Sequence, residues 1–259
     1  MPKITIDERE YEATPGQTVL EVARANGIVI PTLCYHPAVA PYGACRLCLV
    51  EVEHGGRKRL VTSCLYPARD GLIVRTSTES VHKARAGVLE LLLARCPDSA
   101  PLKALAAALG VGTTRFPTVT QSQRNCILCG LCVEVCRSLI GAAAISFADR
   151  GVNRAVAAPF RASSPACVGC GVCAMVCPVG TIIIRRSEDA VEISPFKNKV
   201  TLLRCHECGA ALTGAPYAER IRQKLGNAEI AVAVCDACKR RIYAVKAARL
   251  AVASRPAVR

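Results

Sequence analysis

The chain contains no tryptophan, four phenylalanines, six tyrosines and two methionines in 259 residues, so aromatic residues make up only 4% of it. A core built on large rings is excluded, although hydrophobic residues reach 51%. No apolar run reaches 18 residues. The richest stretch, Ala100 to Val111, is short and contains Lys103, so it reads as a helix of a soluble fold and not as a membrane span. No G-x-G-x-x-G follows a strand and no P-loop occurs, Gly110-Val-Gly112 being only a fragment, so the chain is not expected to hold NAD or a flavin itself. The opening Met-Pro-Lys-Ile-Thr-Ile-Asp lacks an apolar signal segment, which argues against a disulfide-stapled secreted scaffold and for a cytoplasmic location.

What is abundant is cysteine, with 17 residues. Where cysteines are dense, ordinary core formers are sparse, so something other than apolar packing must hold those stretches together. The formal charge of +14 would suggest nucleic acid as a partner. Four-thiolate sites change that count: each carries about −2, and four of them bring the balance to roughly +6.

Residues 1–78 read as a small β-rich domain with one helix. Lys3 to Ile6 alternates as a strand, Thr18-Val-Leu-Glu21 resembles a capping box and Gly27 closes the helix. Strands follow at Leu49–Glu53, Arg59–Thr62 and Leu72–Thr76, which together suggest a β-grasp arrangement. From residue 79 to 117 the period becomes helical, with Val81, Ala84, Val88, Leu91 and Leu92 on one face of a helix ending near Pro97 and a second helix over Leu102–Leu109. This segment reads as a helical bridge. Residues 118–192 contain an internal repeat, and residues 193–259 a further cysteine pattern with a basic, helical tail from Lys239.

Cys34, Cys45, Cys48 and Cys64 form C-x10-C-x2-C-x15-C, with Gly43 and Arg46 in the loop. Four thiolates suit a 2Fe-2S core, and Gly43 lets backbone N–H groups approach the sulfurs. Zinc can also occupy four thiolates, but zinc ribbons pair two x2 knuckles, and only one is present here. Cys126-x2-Cys129-x2-Cys132-x3-Cys136 and Cys167-x2-Cys170-x2-Cys173-x3-Cys177-Pro178 match the bacterial run for two 4Fe-4S clusters, in which the fourth cysteine ligates the other cluster. One cubane is therefore assigned Cys126, Cys129, Cys132 and Cys177, the other Cys167, Cys170, Cys173 and Cys136. Arg137 follows Cys136 where Pro178 follows Cys177, a departure that bears on potential and not on ligation.

Cys205, Cys208, Cys235 and Cys238 form two x2 knuckles, which suit tetrahedral zinc; a third cubane or a rubredoxin-like iron would use the same thiolates. His36, His54, His82 and His206 have no second ligand at metal spacing. Cys96 belongs to no set and reads as a buried, inert thiol.

The 2Fe-2S loop, helical segment and paired ferredoxin motifs, in that order, resemble the N-terminal part of the large iron–sulfur subunit of respiratory complex I. They also resemble the diaphorase iron–sulfur subunit of NAD-reducing hydrogenases and related domains of iron-only hydrogenases and formate dehydrogenases. The resemblance covers about residues 1–185 and rests on Pro31-Thr-Leu-Cys34, Gly43-Ala-Cys45-Arg-Leu-Cys48, Leu89-Glu-Leu-Leu-Leu93 and Cys177-Pro-Val-Gly-Thr181. The family's His-x3-Cys-x2-Cys-x5-Cys site is absent, since the matching stretch, Ala94 to Lys103, holds only Cys96. Electrons are then expected to pass from the 2Fe-2S site directly to the ferredoxin motifs, or to leave the chain between them.

The resemblance implies an α+β protein: a β-grasp 2Fe-2S domain, the helical bridge and a 2x4Fe-4S ferredoxin domain. The four-Cys, zinc-ribbon-like module lies outside the family pattern. It further implies a non-catalytic electron-transfer subunit of a hetero-oligomeric oxidoreductase, between a flavoprotein subunit that oxidises NAD(P)H and a second redox subunit. Neither nucleic acid nor membrane insertion is expected. The rival reading, a nucleic-acid-binding protein with structural clusters and a zinc ribbon, has only the basic charge and the last knuckles in its favour.

Overall fold

The computed structural model describes residues 1–119, 125–225 and 233–253, the last five of these by backbone alone. The chain divides into two compact units. The first comprises Met1–Gly141, Ser146–Val156 and Val172–Ile182; the second comprises Ala142–Ile145, Ala157–Gly171 and Ile183–Arg259.

In the first unit, β1 (Lys3–Ile6), β2 (Arg9–Glu12), β3 (Leu49–His54), β4 (Arg57–Thr62) and β5 (Leu72–Arg75) form one sheet of order β2-β1-β5-β3-β4. β1 and β5 run parallel and the other pairs antiparallel, which is the β-grasp arrangement. Helix α1 (Val19–Ala25) covers one face, where Val19, Leu20, Val22 and Ala23 meet Ile4, Ile6, Val50, Val52, Leu72 and Val74. Its start is a full capping box: Glu21 N–H donates to Thr18 Oγ1 at 3.3 Å and Thr18 N–H to Glu21 Oε2 at 2.8 Å.

Helix α2 (Glu79–Arg95) is capped by Thr78, and α3 (Ala100–Ala108) by Ser99. The buried face of α2 carries Val81, Arg85, Leu89 and Leu93, while Leu91 is 54% exposed, so the apolar stripe expected through Leu91 is rotated. The cause is a repeat of four that places a charged residue, Arg85, on the inner face. Short α4 (Leu131–Glu134) continues into a π-helical turn, Val135–Leu139, that carries Cys136. β6 (Ser146–Ala148) and β7 (Ala155–Ala157) form a two-stranded ribbon, and α5 (Val172–Met175) follows.

In the second unit, β8 (Ile183–Arg186), β9 (Ala190–Ser194), β10 (Asn198–Arg204) and β11 (Ala211–Gly214) make an antiparallel sheet of order β11-β10-β9-β8. Val191, Ile193, Val200 and Leu202 are its large buried hydrophobic residues, with α6 (Ala215–Leu225) against β10 and β11. Helix α7 (Asp236–Ala253) ends the described chain; the rest of the expected helical tail, residues 254–259, lies outside the described residues. No helix among the described residues is long and apolar enough to cross a membrane.

Candidate iron–sulfur and metal centres

The loop between α1 and β3 supplies Cys34, Cys45 and Cys48, and the turn after β4 supplies Cys64; all four are buried. They form two close pairs. Cys45 N–H donates to Cys34 Sγ at 3.4 Å, and Cys48 Sγ lies 3.3 Å from Cys64 Sγ. Thiol–thiol contact within each pair pulls Cys45 down to about 6 and Cys48 down to about 7 and drives Cys34 and Cys64 up. Each pair thus offers two ligands to one iron, and the two pairs match a core of two irons. Gly43 has φ +68°, the left-handed backbone that favours glycine, and a Cβ there would press on the mobile end of the Leu65 side chain.

Cys126 and Cys129 approach the start of α4 and Cys132 lies in its first turn, which is entered through Gly130 at φ +80°. A Cβ on Gly130 would lie 3.3 Å from both Phe147 and Tyr42. Burial raises the thiols of Cys126, Cys129 (to about 12) and Cys132, and Cys177 acts electrostatically on all three. Cys173 also acts on Cys132, so the electrostatics place Cys177 near the three thiols without separating the two ligand sets. Two side chains hold the turns that carry them: Arg95 Nε donates to the Cys126 carbonyl at 2.6 Å, and Ser99 Oγ to the Val179 carbonyl at 3.1 Å.

Of the other four ferredoxin cysteines, Cys136 and Cys173 belong to the first unit and Cys167 and Cys170 to the second. The Cys167–Cys170 loop rests on the four-stranded sheet: Gly169 packs on Val200, and a Cβ on Gly214, at the end of β11, would lie 2.6 Å from the Val168 carbonyl oxygen. Asn198 Oδ1 accepts from Ser164 N–H at 2.7 Å, anchoring the approach to that loop.

In the first unit, Cys34 and Cys45 share one buried cluster with Cys129, together with Leu47, Leu89, Leu93 and Leu102; Cys177 packs against it. A cleft of about 400 Å³ opens between Cys34 and Cys129, walled by Tyr42 and Phe147. Arg154 crosses the Phe147 ring at 4.0 Å and donates to Tyr42 Oη at 3.0 Å. Cys96 is fully buried in the same cluster, and burial lifts its thiol to about 12.

The last four cysteines meet differently. Sγ atoms of Cys205, Cys208, Cys235 and Cys238 all lie within 4.8 Å of one another, and among the described residues no other group of three or more such ligand atoms gathers this way. Cys205 and Cys208 sit in the β10–β11 turn, whereas Cys235 and Cys238 open α7. Cys235 N–H donates to Cys205 Sγ at 3.3 Å, which helps hold the Cys205 thiol down at about 6. The histidines stand apart: His82 Nε2 is 2.8 Å from Ser77 Oγ, and His36 Nδ1 accepts from Ala38 N–H at 3.2 Å.

Residues 2–79 match the family of 2Fe-2S iron–sulfur cluster binding domains, and residues 125–181 the 4Fe-4S dicluster domain family. A solved NAD+-reducing NiFe hydrogenase contains a chain of similar fold, with a TM-score of 0.61 and 33% identity over 69% of this chain and 85% of that one. This chain belongs to that iron–sulfur subunit family. An NADH-quinone oxidoreductase subunit of Rhizobium meliloti is 36% identical over 71% of this chain, and the alpha subunit of the NADPH-Fe(3+) oxidoreductase of Geobacter sulfurreducens 32% identical over the same share. The chain spans about a quarter of the length of these curated relatives, 24% of each.

As an iron–sulfur subunit, the chain also uses residues that cysteine spacing does not reveal. Arg95, Ser99 and Ser63 act on backbone carbonyls of the cluster turns. Arg85 left a trace, being a charge in register with Val81, Leu89 and Leu93.

Proposed function

We propose that this chain is the electron relay of a hetero-oligomeric, NAD(P)H-linked oxidoreductase, passing single electrons between a flavoprotein subunit and a second redox subunit. The carrying observation is the shared buried cluster of Cys34 and Cys45 with Cys129. It supports a direct step from the first centre to the first cubane, with no further centre on the stretch from Ala94 to Lys103.

The ligand sets are those of the motifs: Cys34, Cys45, Cys48 and Cys64 for a 2Fe-2S cluster; Cys126, Cys129, Cys132 and Cys177 for one 4Fe-4S cluster; Cys167, Cys170, Cys173 and Cys136 for the other. Such clusters supply reversible one-electron storage. The chain positions the thiolates, excludes water with Leu47, Leu89 and Leu93, and holds the turns through Arg95 and Ser99. No side chain is required as an acid or base. The proposed domains are 1–78, a helical bridge over 79–117, the dicluster domain over 118–192 and a metal module over 193–259, in a cytoplasmic complex.

At Cys205, Cys208, Cys235 and Cys238 we assign zinc. Four thiolates on one tetrahedral ion with bonds of about 2.3 Å stand about 3.8 Å apart, and Cys208 Sγ lies 3.7 Å from Cys235 Sγ. A cubane, with each thiolate on a different iron, needs wider spacing. This module joins a turn knuckle to a helix start, a variation on the zinc ribbon.

The test is metal and acid-labile sulfide per anaerobically purified chain, with EPR during stepwise reduction. About 10 Fe and 1 Zn support the assignment, about 14 Fe without zinc would make the C-terminal site a fourth relay, and about 4 Fe or fewer in filled protein would sink the relay reading.

A further inference from the structure

Among the described residues Arg85 is the one Lys, Arg, Asp or Glu that is buried, at 6% exposure. It stands on the inner face of α2, between Val81 and Leu89. Its guanidinium donates to the Leu49 carbonyl twice, from Nε at 3.1 Å and Nη2 at 2.6 Å. Leu49 directly follows Cys48, whose own carbonyl accepts from Ser63 Oγ at 2.8 Å and Ser63 N–H at 3.0 Å. Both carbonyls beside this cysteine are thereby tied, and the guanidinium is held on the carbonyl of the residue next to Cys48, within electrostatic reach of its thiolate.

No carboxylate forms an ion pair with Arg85 among the described residues. Asp7, the acidic side chain that acts on it electrostatically, has its two oxygens engaged by Thr76 N–H and Oγ1. A buried cation with no carboxylate partner is costly, more than hydrogen bonds to one carbonyl repay. A strongly negative group at Cys48 removes that cost.

We propose that Arg85 is the built-in counter-charge of the Cys34, Cys45, Cys48 and Cys64 centre and raises its reduction potential. The proposal rests on the reading of that centre as 2Fe-2S. Two ferric ions, two sulfides and four thiolates sum to about −2, and uptake of one electron makes it about −3. A fixed positive charge in a low-dielectric core stabilises the more negative state more. Arg85 is a positioning and tuning residue: it acts through charge and through the Leu49 carbonyl, without ligating iron.

The test is an EPR-monitored redox titration of the full chain, loaded with iron and sulfide, as wild type, Arg85→Gln and Arg85→Lys. In Arg85→Gln the reduced-to-oxidised ratio of the 2Fe-2S signal at the wild-type midpoint is expected to fall about tenfold, equal to about 59 mV for one electron. Arg85→Lys, which keeps the charge but not the fork, should stay within about twofold, and the cubane midpoints should not move. Should Arg85→Gln fail to load while Arg85→Lys loads at the wild-type midpoint, the charge is again the deciding property. An unshifted midpoint in fully loaded Arg85→Gln would overturn the proposal, as would Lys behaving like Gln in midpoint or in failure to load, because the fork would then be what matters. Absence of a 2Fe-2S signal from wild type would sink the cluster reading itself, a different result from any of these.

Discussion

Cys45 and Cys129 lie in one buried apolar cluster, close enough for the charge of the first to act on the thiol of the second. They come from the loop before β3 and the approach to α4, so these two thiols are neighbours by tertiary packing and not by sequence.

An electron on the first centre should therefore be felt by its neighbour. With both reduced, the EPR signal of the Cys126 cubane is expected to broaden, and Cys45→Ser, which disrupts the 2Fe-2S site, should return it to a simple line while iron at both cubanes persists. An unbroadened signal in the wild type would argue for separate relays.

Leu89 is fully buried in the cluster that holds Cys34, Cys45, Leu47 and Cys129. Leu89→Ala is expected to cost about 2–5 kcal/mol, seen as a lower Tm of the loaded protein and faster loss of visible absorbance. Leu91→Ala, at a 54% exposed position of the same helix, should leave both nearly unchanged.

Cys96→Ser places a hydroxyl where no solvent reaches, so a loss of about 1–3 kcal/mol is expected. Iron content should stay at the wild-type level, which is the measurement that separates a packing thiol from a ligand.

Gly214→Ala drives a methyl group toward the Val168 carbonyl. Overpacking of about 1–3 kcal/mol should displace the loop between Cys167 and Cys170, so that iron falls toward about 6 per chain as one cubane is lost. Retention of all iron would show that the loop yields without losing its ligands.

Cys208 is the one exposed thiol of the last four. Chelators are expected to remove the metal there first, with loss of far-UV helix signal from the start of α7, while the visible iron–sulfur bands persist; loss of both together would tie this site to the clusters.

Much of this was legible in the chain itself, because x2 spacing within one loop is short-range and survives any tertiary context. The capping box at Thr18 and Glu21, strands β1, β3, β4 and β5 and both helices after residue 78 follow from the same local physics. Strand β2 and the sheet β8–β11 were not resolved from pattern: Arg9 to Glu12 is mostly exposed, and β8 exposes Ile183 while alternating weakly. Helix α2 was legible in length and not in rotation, since Leu91 and Leu92 look as apolar as Leu89 and Leu93. Contacts such as Arg95 to the Cys126 carbonyl join residues far apart in sequence and leave no periodic trace.

The 3.3 Å separation of the Cys48 and Cys64 sulfurs also has a consequence for assembly. Thiols held this close need only a small rotation to reach the bond length of about 2.05 Å at which they join each other. A two-electron oxidant such as dioxygen would take both thiol hydrogens and join the two sulfurs, so a chain exposed to air before iron and sulfide are supplied is expected to lose this pair as ligands.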